Sequence, residues 1–144
     1  MRLVGGLRPA VLAVLGLGWA WYGYSITADP GYARARGLAG ITRYVPLTTL
    51  GWVWVAAGAV AVAAALVRHW RIRWQAAGFA ALAGPPLLWG ITYARAAIDG
   101  TGSESAPGSA GAWLAFAVAI VLVAGLAEPV WVVETLYERG EPRD

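Results

Sequence analysis

The chain has 144 residues, 59% of them hydrophobic and 13% charged, with a net charge of +3 and a mean hydropathy of +0.58. A soluble domain carries about 25% charged residues, so this composition points to one small membrane domain. The absence of cysteine, with His69 the only histidine, excludes disulfides, thiolate metal sites, thiol redox chemistry and multi-histidine metal or haem ligation within one subunit.

The first apolar stretch runs from about Arg8 to Ile26. Arg2 and Arg8 precede it as they would a signal peptide, but the aromatic run Trp19, Trp21, Tyr22, Tyr24 is wrong for the small-residue region before a cleavage site. It reads as a transmembrane helix. Asp29-Pro30 then has the form of a helix start, with Asp as N-cap and Pro in the first turn. Leu38, Ile41 and Val45 follow at helical spacing, with Arg36 and Arg43 on another face, which predicts a short helix lying on the bilayer surface in the first outer loop. Gly37 and Gly40 work against that helix.

Further spans are expected at about 46–67, 75–93 and 112–133. Arg68-His69-Trp70-Arg71-Ile72-Arg73-Trp74 makes a tight basic turn between the second and third, and residues 94–111, rich in Gly and Ser, read as a flexible solvated loop. Residues 134–144 form a polar tail. The expected fold is an all-α membrane protein, residues 1–144 forming one domain of four transmembrane helices arranged as two helical hairpins. Leu17-Gly18-Trp19 with Tyr22 and Tyr24 has an echo in Leu88-Trp89-Gly90 with Tyr93, which tandem hairpins or shared interfacial chemistry would explain.

The nine tryptophans lie near the ends of these stretches, the pattern of an aromatic belt whose indoles keep the ring in apolar surroundings and the N–H wet. Trp19, Trp21, Trp52, Trp54, Trp89 and Trp113 fall at one boundary, and Trp70, Trp74 and Trp131 at the other. All eleven basic residues are arginine, as a high-GC genome would produce. Arg2, Arg8, Arg68, Arg71, Arg73, Arg139 and Arg143 share one side, against Arg34, Arg36, Arg43 and Arg95, so the positive-inside rule places both termini in the cytoplasm of a bacterial inner membrane. Arginines at span ends favour anionic headgroups as partners. The basic turn Arg68, Arg71, Arg73 is read the same way, as an anchor and topology signal; the small, divided charge does not indicate nucleic acid.

Three features are candidates for function. Pro85-Pro86 sits in the middle of the third span, where the carbonyls of Ala81 and Leu82 lose their usual amide partners. The result is a kink, its carbonyls satisfied by a neighbouring helix or by a local turn adjustment, or an opening that can gate a water path or bind an ion. Glu128, followed by Pro129, is a possible intramembrane charge, about 24 Å into the last span at about 1.5 Å rise per residue, either functional or paired with Arg8, Arg68 or Arg73. Small residues recur at four-residue spacing, namely Ala57, Ala61 and Ala65, then Ala80 and Gly84, then Gly111, Ala115 and Ala119. Such stripes serve packing within a subunit or between subunits.

No Walker loop, paired catalytic carboxylates, Ser/His/Asp set or zinc signature is present, so no catalytic, cofactor or metal site and no enzyme activity are expected. Four-helix multidrug exporters need a glutamate in the first span and four-helix quinone-linked thiol oxidoreductases need cysteines; the chain fits neither. Arg36-Gly37-Leu38, Pro46-Leu47, Gly51-Trp52, Trp54 and Gly58 together resemble a pattern in small four-span membrane proteins of actinobacteria and their phages, some of them assigned as holins. The resemblance covers about a third of the chain. It implies a holin-like role: self-association in the inner membrane and opening of a lesion. The other expectations are an accessory or scaffold subunit of a larger membrane complex, and a small transporter or channel.

Overall fold

The computed structural model describes residues 7–29, 38–67 and 71–126. Among them are five helices and no strand: α1 (Leu7–Ala28), α2 (Ala39–Thr42), α3 (Leu47–Leu66), α4 (Arg71–Ile98) and α5 (Ala106–Gly125). α1, α3 and α5 are long and apolar enough to cross a membrane. At about 1.5 Å per residue they reach about 30 Å or slightly more, the thickness of a hydrocarbon core. This architecture suits a multi-pass helical membrane protein.

The buried residues of α1 are Pro9, Leu12, Gly16, Trp19, Gly23 and Ile26, alternating steps of three and four. α3 buries Leu47, Leu50, Trp54, Ala57, Ala61 and Ala64 at the same rhythm. That 3.5-residue period is the signature of knobs-into-holes packing. The opposite faces are equally apolar: Val14, Leu17, Trp21, Val60, Leu87, Val118 and Leu122 are all exposed. A soluble monomer rarely shows so large an apolar surface, whereas lipid accepts it at no cost.

Glycine decides how closely α1 and α3 approach. A Cβ added at Gly16 would lie 2.8 Å from the Gly58 carbonyl oxygen, and one at Gly51 would lie 2.9 Å from that of Gly23. Gly16 pairs with Gly58 and Gly23 with Gly51, so the two helices run antiparallel in backbone contact. α4 joins them through Gly78, which meets Ala64 and Leu12, and takes α5 through Gly90, which meets Leu114.

Two expected boundaries are corrected. Residues 94–111 are not one flexible loop, because α4 continues to Ile98 and α5 begins at Ala106. The ion pair Arg95–Asp99, at 3.5 Å and one helical turn apart, lies on that extension. Gly100, at φ 66°, ends it in the left-handed conformation, with the amides of Thr101 and Gly102 returning to the Ala96 carbonyl. The surface helix of the first loop is, in its described part, the single turn α2. Its apolar face meets the bundle: Leu38 is fully buried in the core, with Ile41 and Val45 packed against it.

Candidate functional site

The proline pair lies within a continuous α4, and both rings are buried. Gln75, Phe79, Leu82, Pro86 and Trp89 all fall on the buried side of this helix. Pro86 has no N–H to give the Leu82 carbonyl, four residues earlier. Trp19 of α1 supplies the missing donor. Its Nε1–H donates to the Leu82 oxygen at 2.9 Å in a buried bond. Trp19 stands about 18 Å along α1, so the bond lies at mid-helix depth, where an unsatisfied carbonyl would find no water. The break is therefore sealed at Leu82 by a neighbouring helix.

Above that bond the centre of the bundle is filled with aromatic rings. Trp54, fully buried, has Tyr22 at 4.9 Å, Trp19 at 5.1 Å, and Trp89 and Trp113 each at 5.3 Å between ring centroids, all edge-to-face. Phe116 lies 5.9 Å from Trp19. The buried Nε1 of Trp54 has no hydrogen-bond acceptor. Leaving such a donor unpaired costs about 1–3 kcal/mol. Four ring contacts at about 0.5–1.5 kcal/mol each are enough to offset it.

The tryptophans thus separate into two kinds. Trp21, Trp52 and Trp74 face outward, at 73%, 59% and 50% exposure. Trp19, Trp54 and Trp89 are buried, which corrects the expectation that they anchor the protein to headgroups. An indole with almost no outward surface cannot do that, and where four helices converge the largest side chains fill the space. Trp113 is half-buried against the same cluster. The structure brings together four of the six tryptophans assigned to one boundary. Trp70, Trp131, Arg68 and Glu128 lie outside the described residues, as does the side chain of Arg71, whose backbone opens α4. Arg73 is exposed on the first turn of α4.

The small-residue stripes also separate. Ala57 and Ala61 are buried inside the bundle, and Ala65 packs partly against it. Ala80, Gly84, Gly111, Ala115 and Ala119 face outward, with nothing within 4 Å of a Cβ added at Gly84 or Gly111.

At the start of α1, Arg8 reads in the sequence as a topology signal and as one candidate partner for Glu128. Its Nη2 donates to the Ala124 carbonyl in the last turn of α5, where helix ends leave carbonyls without partners. Arg8, Gln75, Phe79, Ala83, Val121 and Ala124 line a cavity of about 290 Å³. A second cavity of about 520 Å³ lies between α2 and the end of α4, beside Arg43, Thr92, Arg95 and Asp99. Its Arg95 is exposed and already paired with Asp99. Among the described residues no three metal-ligating side chains cluster.

The fold and site define a helical, apolar bundle with a filled aromatic centre. No protein-family model, curated protein or solved structure matches the chain.

Proposed function

We propose that this is a non-enzymatic, self-associating integral membrane protein that acts by assembly, in the manner of a holin. The outward face of α5 carries this reading. Only 17% of the most apolar part of α5 is buried within the molecule, against 39% for α3. Its exposed surface presents Gly108, Gly111, Ala115 and Ala119, a strip that lets a second helix approach closely. In α3 the equivalent alanines are used inside the subunit.

In this reading α4 is the fourth span, the helices form two tandem hairpins, and both termini lie in the cytoplasm of the inner membrane. Permeability arises between subunits. The filled aromatic centre and the closed Leu82 carbonyl support this over a channel or transporter path through a single subunit.

The outward face of α5 also fits a different membrane protein, the arrangement of an accessory subunit. The chain has no cysteine, so Ala115→Cys places a single thiol on that face. Oxidation in membranes should give a disulfide-linked dimer, and expression of the chain should depolarise the cell. A tolerated protein that cross-links only to a different partner would replace self-association with the accessory role.

A further inference from the structure

The cavity at the Arg8 end of the bundle has an unmet chemical demand. Arg8 spends one guanidinium nitrogen on Ala124, and its Nε is buried without a partner. No described carboxylate pairs with Arg8. The negative end of the α5 dipole, at Ala124, offsets only part of the charge. Gln75, 6% exposed, lines the same cavity and is the only buried residue of polar or charged type among those described. Its carboxamide can donate and accept. A charged donor and an amide held at the end of a lipid-facing bundle call for an anion with hydrogen-bonding oxygens.

The remaining walls select the rest of the ligand. Phe79, Ala83 and Val121 are apolar and lead away from Arg8 along α4 and α5 toward the middle of the helices. The small side chain of Ala83 leaves room for a methylene chain. A free phosphate would be held at one end and leave those walls empty, whereas a lipid fills both. Basic pockets between membrane helices are the usual seats of anionic headgroups.

We infer that the Arg8–Gln75 cavity is a binding site for one anionic phospholipid, its phosphodiester on Arg8 and Gln75 and an acyl chain along Phe79, Ala83 and Val121. The site rests on the membrane reading but is independent of self-association through α5.

The test uses the full chain in a neutral detergent, with phosphatidylglycerol, phosphatidylcholine and inorganic phosphate as separate probes. Retention is read by native mass spectrometry, alongside thermal unfolding. Phosphatidylglycerol should be retained and should raise the unfolding temperature; the other two should do neither. Arg8→Gln should weaken retention roughly tenfold or more, the effect of losing a hydrogen bond to a charged group. Arg8 also caps α5, so Ala83→Leu provides a second arm that fills the chain channel and leaves the Arg8–Ala124 bond intact. It should abolish retention in a folded protein. Unchanged retention in Ala83→Leu, equal retention of phosphatidylcholine, or an equal temperature shift from inorganic phosphate would each overturn the site. Cross-linking of Ala115→Cys should be the same with and without the lipid, so failure here leaves self-association standing.

Discussion

Two carbonyls in this molecule face the same difficulty and are treated differently. The Leu82 oxygen is orphaned by Pro86 in the middle of α4, and the Ala124 oxygen by the end of α5. Trp19 meets the first with a single neutral N–H, and packed rings surround the contact. Arg8 meets the second with a cation that has more donors than the carbonyl can use, beside an open cavity. A neutral donor that matches its acceptor closes a site. A charged donor in excess leaves one open. At the middle of the bundle the donor is used up, whereas at the Arg8 end spare donors face a cavity.

The largest way to break this contrast is to separate the helices that bring Trp19 to Leu82. A Cβ at Gly58 would run into the Gly16 carbonyl and the Ala20 amide, so Gly58→Val should destabilise the fold by about 1–3 kcal/mol or more. Loss of folded protein on thermal unfolding in detergent is the readout; a wild-type midpoint would mean the seam is looser than described. Next is Trp19→Phe, which keeps a ring and removes the donor. It should cost about 1–3 kcal/mol, because the Leu82 oxygen is left unsatisfied.

A double-mutant cycle sharpens that point. Pro86→Ala restores an amide that can bond to Leu82, so Trp19→Phe should cost less in the Pro86→Ala background than in the native chain. Strictly additive costs would show that Trp19 acts through ring packing alone. The smallest effect is expected on the outer face of α5. Ala115→Leu should change monomer stability by no more than about 0.5 kcal/mol while weakening self-association, read by sedimentation in detergent. A large loss of stability would place Ala115 inside the fold.

Much of this was legible in the sequence because lipid imposes simple demands. Long apolar runs, prolines with missing donors and arginines at span ends each have a narrow set of physical meanings in a bilayer, and the orphaned Leu82 carbonyl follows from Pro86 alone. Which faces are buried did not follow, since inside and outside of the bundle are both apolar and the usual polar face is missing. That is why Trp19, Trp54 and Trp89 read as belt residues. A usable signal was present in the seven-residue spacings Gly16–Gly23 and Gly51–Gly58, which mark the seam. Residues 94–98 and 106–111 read as loop because Gly and Ser recur through residues 100–111, although the helices stop only across 99–105, where Gly100 takes the left-handed conformation. The pairing of Arg8 with Ala124 spans most of the chain, and no local pattern records it.

We propose that this protein acts through assembly of sealed subunits. Release of a trapped dye from vesicles of anionic phospholipid, measured as the protein-to-lipid ratio is raised, tests it most directly. Release should be negligible at low ratio, rise steeply as subunits associate, and shift to higher ratio in Ala115→Leu. Release proportional to protein from the lowest ratio, unaffected by Ala115→Leu and increased by Trp19→Phe, would contradict the account and place the path inside the single subunit, at the proline break.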